Sequence, residues 1–251
     1  MFDSAAGEYD AARPAYPDAL YAELQDRTGP LTGLLTIDCG AGTGIASRQL
    51  ADRGARVVSL DIGEQMLAKA RSRNPRAACV LADGNQLPVR PGVAGLVTFA
   101  QSWHWFDRQR AAAEVARVLE PGGLWAAWWN QTHADGEPWF DQYQQLMGTS
   151  CPSYWRMHGR DEQLAPDWAD ATVTAGGRME PAGVVVVPWT RRVSAADWVT
   201  EQRSKSYVIE LEPAVRASVL GQLTKIIASG FPGGQLTVGY RTTLLLARKA
   251  D

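Results

Sequence analysis

Residues 34–44 read Leu-Leu-Thr-Ile-Asp-Cys-Gly-Ala-Gly-Thr-Gly, and this stretch decides the fold. An apolar run leads into a loop with glycine at positions 40, 42 and 44. Glycine has no Cβ, so such a loop adopts positive φ and lets a ligand approach its backbone, while a following helix directs free N–H groups to the same place. The stretch therefore predicts a strand, a loop and a helix that bind a nucleotide-like cofactor.

A second apolar run, at 56–60, ends in Asp61, 17 residues after Gly44. An acidic residue at the tip of the second strand accepts hydrogen bonds from ribose hydroxyls. A dinucleotide-binding loop reads Gly-x-Gly-x-x-Gly, which would require glycine at position 45 after Gly40 and Gly42, and the chain has Ile45 there. The sequence therefore disfavours a nicotinamide oxidoreductase.

Up to about residue 130, short apolar runs alternate with segments of helical composition. This alternation predicts βαβ units and a parallel sheet. The predicted strands lie near 34–38, 56–60, 77–81, 95–100 and 123–129. A helix is predicted from Asp107, which is a favourable N-cap residue, to Leu119. Because ligands of such sheets bind at the carboxyl ends of the strands, the motifs above share one edge.

After residue 130 the chain becomes rich in aromatic residues interrupted by glycine and proline. We expect segments 131–180 and 190–232 to form a helical cap, with helices at 195–203 and 213–229. Two further strands are predicted at 183–188 and 237–247. The tryptophans of this part favour an aromatic-lined pocket for a second ligand: Trp139, Trp155, Trp168, Trp189 and Trp198.

The composition is that of an ordinary globular protein. The chain has 251 residues, 45% of them hydrophobic and 21% charged, with a net charge of -2. This size favours one domain, and the charge argues against a nucleic-acid partner. No long apolar run or basic-then-apolar start is visible, so we expect a cytoplasmic protein without a membrane partner. The three cysteines and three histidines show no metal-ligand spacing, and no metal site is expected.

A third acidic residue, Asp83, follows the predicted strand at 77–81. Acidic residues at the ends of strands one, two and three, with glycines in the first loop, resemble the class I S-adenosylmethionine (SAM)-dependent methyltransferases. The resemblance implies a Rossmann-like α/β fold with a seven-stranded, mostly parallel sheet, an antiparallel last strand and a helical cap. It also implies that segment 1–30 is an N-terminal lid over a SAM-binding core at 31–130.

In that family the glycine loop holds the methionyl part of SAM, the second-strand acid binds ribose, and the third acid meets the adenine amino group. The resemblance implies a set of cofactor-binding residues: Tyr9, Arg13, Asp38, Gly40, Ala41, Gly42, Gly44, Asp61, Ile62, Met66, Asp83, Gly84 and Gln101. Asp38 matches the position that organises the loop and the amino end of the cofactor. Tyr9 and Arg13 belong to the lid.

The run Phe99-Ala-Gln-Ser-Trp-His-Trp-Phe-Asp107 and the segments 119–123 and 240–242 look like the branch that includes trans-aconitate methyltransferases. His104 in this run is the candidate catalytic residue. Its unperturbed pKa of about 6.5 would let it act as a base near neutrality, and the alternative is that it only orients the substrate. A carboxylate acceptor would need no base.

Three further residues are candidates for substrate binding. Trp103 and Trp105 flank His104, and either indole could face the sulfonium or pack in the core. Arg241 is a candidate for anion recognition.

The sequence therefore predicts a SAM-dependent methyltransferase that acts on a small molecule at a carboxylate or hydroxyl oxygen, with nitrogen as the alternative atom, as a monomer or homodimer. Two alternatives stay open. One is a SAM-using enzyme of this fold that cyclises SAM or guides a rearrangement. The other is a non-catalytic SAM-binding protein.

Overall fold

A computed structural model describes residues 13–75, 77–158, 172–174 and 177–250. Seven strands of this part form a sheet in the order β3-β2-β1-β4-β5-β7-β6. The strands are β1 (Leu35–Cys39), β2 (Arg56–Asp61), β3 (Ala78–Leu81), β4 (Ala94–Ala100), β5 (Leu119–Thr132), β6 (Met179–Ser194) and β7 (Gln235–Lys249). The first five run parallel, and β7 is antiparallel to both of its neighbours. The predicted mixed sheet with an antiparallel last strand is confirmed.

The α-helices are α1 (Asp18–Thr28), α2 (Ile45–Asp52), α3 (Glu64–Arg73), α4 (Arg108–Val118), α5 (Pro138–Ser150), α6 (Tyr154–His158), α7 (Ala195–Arg203), α8 (Ser206–Ile209) and α9 (Pro213–Gly230). Short 3-10 turns lie at Trp103–Trp105 and Thr172–Thr174. None of the helices described here combines the length and the apolar character that crossing a bilayer requires.

Helix α4 shows how local sequence sets an element. The side chain of Asp107 caps it by accepting hydrogen bonds from the amides of Gln109 and Arg110, both at 3.1 Å. Such a cap satisfies N–H groups that have no partner inside the helix. The helix begins where the sequence predicts, but it ends at Val118, and Leu119 already starts β5.

The described residues form three apolar clusters in the interior. One covers the face of the sheet against α4, and a second covers the opposite face against α1 and α2. The third joins the cap helices α5 to α9 with the strand ends of β6 and β7. Because the cap has its own core, it can extend beyond the sheet edge.

β7 (Gln235–Lys249) matches its predicted range of 237–247 closely, but β6 is much longer than predicted. β6 pairs with β7 from Met179 opposite Lys249 to Ser194 opposite Gln235, whereas only 183–188 was expected as strand. The full length of this strand was not predicted because Pro181 and Pro188 argue against a strand interior. β6 tolerates these prolines because it lies at the sheet edge. Residues 190–194, expected in the cap, therefore belong to the sheet.

Candidate active site

The carboxyl ends of β1, β2 and β4 open into a cavity of about 700 Å³, within the range of small-molecule sites. The cap supplies further wall through residues 157–158 and 205–207. Twelve residues predicted as site residues line this cavity: Arg13, Gly40, Ala41, Gly42, Asp61, Ile62, Met66, Asp83, Gly84, Gln101, His104 and Trp105.

Other predicted residues lie away from the cavity wall. Asp38 is buried next to the glycine loop, Gly44 ends that loop without lining the cavity, Trp103 is fully buried, and Arg241 faces a neighbouring cavity of about 180 Å³. Tyr9 lies outside the described residues.

The conformation of the glycine loop is set by left-handed backbone angles and by a backbone hydrogen bond to β2. Gly40, Gly42 and Gly44 have φ values of 67°, 56° and 78°, which side-chain-bearing residues rarely adopt. A Cβ added to Gly42 would meet nothing within 4 Å, so the loop backbone is open there. The amide of Ala41 donates to the carbonyl of Leu60 at 2.9 Å, which ties the loop to β2.

Gly40 and Gly44 meet protein neighbours instead. A Cβ at Gly40 would lie 2.6 Å from Cβ of Ser102, and one at Gly44 would lie 3.1 Å from Cβ of Ala70. Glycine at these two positions therefore permits close packing as well as positive φ. This packing role explains why Gly44 does not line the cavity.

Asp61, at the end of β2, faces the cavity with its carboxylate already oriented. Its Oδ2 accepts from the amide of Gly42 and its Oδ1 accepts from the amide of Gly63, both at 2.8 Å. Each carboxylate oxygen can accept more than one hydrogen bond. The group can therefore hold the loop and a ligand hydroxyl at once.

Asp38 lies beneath the loop and is fully buried. It accepts hydrogen bonds from the hydroxyls of Ser47 at 2.5 Å and Thr98 at 2.8 Å, and Ser47 in turn accepts from Ser59. Desolvation by burial outweighs these hydrogen bonds and raises the pKa of Asp38 to about 6. The position joins β1, β4 and α2, so the carboxyl group positions the loop without touching the cavity.

After β3, the backbone of Gly84 lies against the ring of Phe106. A Cβ at Gly84 would lie 2.2 Å from the ring. Asp83 is exposed, and its Oδ1 accepts from the amide and the side chain of Asn85 at 2.8 and 2.9 Å. The turn that carries Asp83 is thus fixed at the cavity by packing on one side and hydrogen bonds on the other.

The segment after β4 is strained at Gln101, which has a φ of 55° although it is not glycine. Its amide donates to the carbonyl of Trp128 at 2.8 Å. Such a conformation costs on the order of 1–3 kcal/mol and often marks functional sites. It redirects the chain from the strand into the turn that carries His104.

His104 lines the cavity, and its Nδ1 accepts a hydrogen bond from the indole N–H of Trp129 at 3.1 Å. Burial, with additional repulsion from Arg108 and Arg13, lowers the pKa of His104 to about 4. The pKa of this ring is therefore lower than the value of about 6.5 expected from the sequence, and His104 is a weaker base than predicted.

The tryptophans separate into core and cavity residues. Trp103 packs edge-on against Phe99 and Trp125, with ring centroids 4.7 and 5.1 Å apart. It therefore belongs to the core and not to the predicted acceptor site. Trp105 is 55% exposed and lines the cavity. Only one of the two flanking indoles faces the ligand space.

The four cap tryptophans that the structure describes do not line the cavity. Trp139 and Trp198 are buried in the cap core, Trp155 packs against it, and Trp189 stacks on Tyr240 with centroids 4.6 Å apart. The cap needs these rings for its own interior. Trp168 lies outside the described residues.

The position of Arg241 follows from the alternation of side chains along β7. Side chains alternate across a strand, and Tyr240 and Thr242 of β7 are buried, which leaves Arg241 exposed on the other face. It lines the smaller cavity with His133 and Asp135.

Sequence reasoning missed several cavity residues, namely Trp129, Met157, His158, Lys205, Tyr207 and Glu210. They come from β5 and from cap helices far apart in sequence, and no local motif marks them. Lys205 lies 3.2 Å from the buried carboxylate of Glu201, and Arg13 donates to Ser204 at 3.0 and 2.8 Å. The two cations thereby reach the cavity from the cap side.

Comparison with known proteins identifies a family for this arrangement. A family model described as "Methyltransferase domain" matches residues 37–127. An uncharacterized methyltransferase of Mycobacterium tuberculosis strain H37Rv is 30% identical over 228 residues, which cover 91% of this chain and 86% of that protein.

Solved structures show the same fold at lower identity. A proposed type II methyltransferase from Anaeromyxobacter dehalogenans superposes with a TM-score of 0.73 at 23% identity, covering 95% of this chain and 99% of that one. Phosphoethanolamine N-methyltransferase 2 of Haemonchus contortus, solved with SAM, gives a TM-score of 0.56 at 15% identity, covering 99% of this chain and 57% of that one.

Proposed function

This chain belongs to the SAM-dependent methyltransferases, and we propose that within the family it methylates a small organic molecule at an oxygen of a carboxylate or hydroxyl group. The observation that carries the proposal is the cavity of about 700 Å³, which runs from the glycine loop to a wall containing His104, Arg13 and Lys205. When bound, SAM supplies a methyl group on a positively charged sulfur.

The residues around the loop fit this cofactor. We assign the methionyl part to the backbone at Gly40 and Gly42, and the ribose hydroxyls to Asp61. The open backbone at Gly42 and the oriented carboxylate of Asp61 support these assignments. A third support is Ile62, whose apolar side chain is 78% exposed beside the cavity, as expected of a residue that a flat ring would cover.

The adenine end is assigned to Met66, which is buried at the cavity floor, and to Asp83, which would accept from the amino group. Gly84 lets the backbone turn closely over Phe106 beside this end. Asp38 and Gly44 are assigned a supporting role, because neither lines the cavity.

The acceptor is assigned to the remaining wall. Arg13, Lys205 and the carboxylate of Glu210 line this wall, and such polar groups favour an acceptor with a polar oxygen. His104 and Trp105 would position that oxygen. Holding donor and acceptor in line can lower the barrier by roughly 7–11 kcal/mol without any further catalytic group.

The motif around His104, with the lid segment, supports placing the chain in the branch that resembles trans-aconitate methyltransferases. Within this proposal, the described part of the lid from residue 13 to residue 30, the sheet and the cap act as one unit around both ligands. The contact of Arg13 with Ser204, which joins the lid to the cap, supports this.

A transfer assay tests the proposal. The purified protein is incubated with SAM carrying a labelled methyl group and with fractionated metabolite extracts. We expect S-adenosylhomocysteine and a labelled small acidic or hydroxylated product, with greatly reduced transfer by Asp61→Ala. Formation of methylthioadenosine, or binding of SAM without turnover in every fraction, would overturn the assignment.

A further inference from the structure

Two histidines line the cavity, and each uses Nδ1 to contact the protein. His104 lies in the turn after β4, and His158 ends α6 in the cap. The groups that meet the two Nδ1 atoms differ in kind. One is a pure hydrogen-bond donor, and the other is a pure acceptor.

The partner of His104 is the indole of Trp129, which can only donate. Since its Nε1 lies 3.1 Å from Nδ1 of His104, Nδ1 must present its lone pair. A neutral imidazole carries one hydrogen, so this hydrogen lies on Nε2. His104 can therefore donate to a ligand through Nε2, and its one lone pair is already in use.

The partner of His158 is the carbonyl oxygen of Tyr154, which can only accept. It lies 2.8 Å from Nδ1, so Nδ1 carries the hydrogen and Nε2 carries the lone pair. The ring stacks on Tyr154 with centroids 4.3 Å apart and meets the edge of Tyr207 at 5.4 Å. The Nε2 edge is thus the part of this ring left for the cavity.

We propose that the two imidazoles bind the methyl acceptor through Nε2 with opposite polarity, His104 as a hydrogen-bond donor and His158 as a hydrogen-bond acceptor, and that Trp129 is a positioning residue that fixes the donor. The proposal rests on the proposed function in placing the acceptor in this cavity. Burial lowers the pKa of both rings to about 4, so His158 differs from His104 in presenting its lone pair on Nε2 and not in basicity.

The pair selects an acceptor that carries a hydroxyl group. Its hydrogen points to Nε2 of His158, while a second oxygen of the acceptor receives the hydrogen of His104. On methylation the hydroxyl oxygen forms the bond to the methyl carbon, and the electron pair of the broken carbon–sulfur bond stays on sulfur. The hydroxyl proton passes to Nε2 of His158, so that charge and atoms balance.

The tautomers can be measured without an acceptor. Protein labelled with ¹⁵N in its histidine rings is studied by long-range ¹H–¹⁵N correlation NMR at neutral pH with S-adenosylhomocysteine. The chain has three histidines, and His104→Gln, His133→Gln and His158→Gln assign the signals. We expect a hydrogen on Nε2 of His104 and on Nδ1 of His158. The same tautomer in both rings, or the reverse pair, would overturn the proposal.

The positioning role has a matched control within β5. Trp129→Phe removes the indole N–H, and we expect the His104 ring to become a mixture of tautomers while His158 is unchanged. Trp125→Phe removes a buried indole N–H that has no hydrogen-bond partner among the described residues, and it should leave both rings as in the wild type. A pure Nε2–H ring in a folded Trp129→Phe variant would remove Trp129 from this role.

These spectra are independent of methyl transfer. If no acceptor is ever methylated, the proposed function fails while the tautomers stand. If transfer occurs but the tautomers differ from those assigned, the assignment of the histidines fails alone.

Discussion

The carboxylate of Asp61 accepts a hydrogen bond from the backbone amide of Gly42 at 2.8 Å. One side chain at the end of β2 thereby holds the loop that follows β1. The same carboxylate holds the amide of Gly63 at the start of α3. The loss of Asp61 would thus affect three neighbouring segments at once.

We expect Asp61→Ala to weaken the binding of SAM and of S-adenosylhomocysteine by about 10- to 100-fold, since hydrogen bonds to a charged group contribute about 1.5–3 kcal/mol. Titration calorimetry measures both dissociation constants. Asp52→Ala, at an exposed position of α2, is the control and should bind as the wild type does. Equal affinities of the two variants would discredit the ribose assignment.

Two glycine substitutions should shift the melting temperature in opposite directions. Gly84→Ala places a Cβ 2.2 Å from the ring of Phe106, and overpacking of this kind costs about 1–3 kcal/mol. Gly221→Ala, in the exposed part of α9, meets nothing within 4 Å and should stabilise the helix by about 0.5–1 kcal/mol. Thermal unfolding of both variants checks the signs, and a Gly84→Ala protein as stable as the wild type would contradict the close packing on Phe106.

Asp38 should make the protein less stable as the pH rises. Its folded pKa of about 6 lies above the unfolded value of about 3.9, so the folded state binds the proton more tightly between these values. The free energy of unfolding should therefore fall by about 2–3 kcal/mol from this group between pH 4 and pH 6.

Urea unfolding of the wild type and of Asp38→Asn from pH 4 to pH 7 tests this sign. The variant cannot ionise at this position, so the difference in unfolding free energy between the two proteins should change across that range in favour of the variant. Parallel curves would show that Asp38 is not protonated preferentially in the folded state.

Glu201 should matter more for stability than any exposed carboxylate. It is fully buried and accepts from Tyr240 at 2.9 Å, with Arg191 at 3.1 Å and Lys205 at 3.2 Å. Removing one member of a buried ion pair leaves charge without compensation and costs about 3–5 kcal/mol. We expect that loss of unfolding free energy in Glu201→Ala by urea titration.

Glu201→Gln keeps the size and the hydrogen bond from Tyr240, so its stability should lie between those of the wild type and Glu201→Ala. The exposed Glu180 of β6 provides the control, and Glu180→Ala should change the unfolding free energy by less than about 0.5 kcal/mol. Similar losses in Glu201→Ala and Glu180→Ala would mean that the buried cluster contributes nothing.

The features that depend only on residues close together in the sequence were predicted correctly. The glycines of the first loop and Asp61 follow strands directly, and parallel strands bring their carboxyl ends to one edge. The three left-handed φ values favour glycine, so the glycines in the sequence indicated the backbone conformation there. These features made the fold and the cavity edge predictable.

The rest depends on contacts between distant segments. Nothing near His158 or Lys205 in sequence shows that they line the same cavity as His104. Nothing in the run around His104 shows that Trp103 turns inward while Trp105 turns outward. The cap tryptophans were misassigned for a similar reason. An aromatic-rich segment can line a ligand pocket or form a separate core, and packing against α9 and β7 decides which of the two occurs.

The hydrogen bonds that join the glycine loop to Asp61 and Leu60 also affect the thermodynamics of ligand binding. A surface that is preorganised in its receptive shape loses little conformational entropy when it is occupied. Association at this rim should accordingly proceed without a disorder-to-order transition of the main chain, and amide hydrogen exchange in the loop should already be slow before any nucleoside arrives.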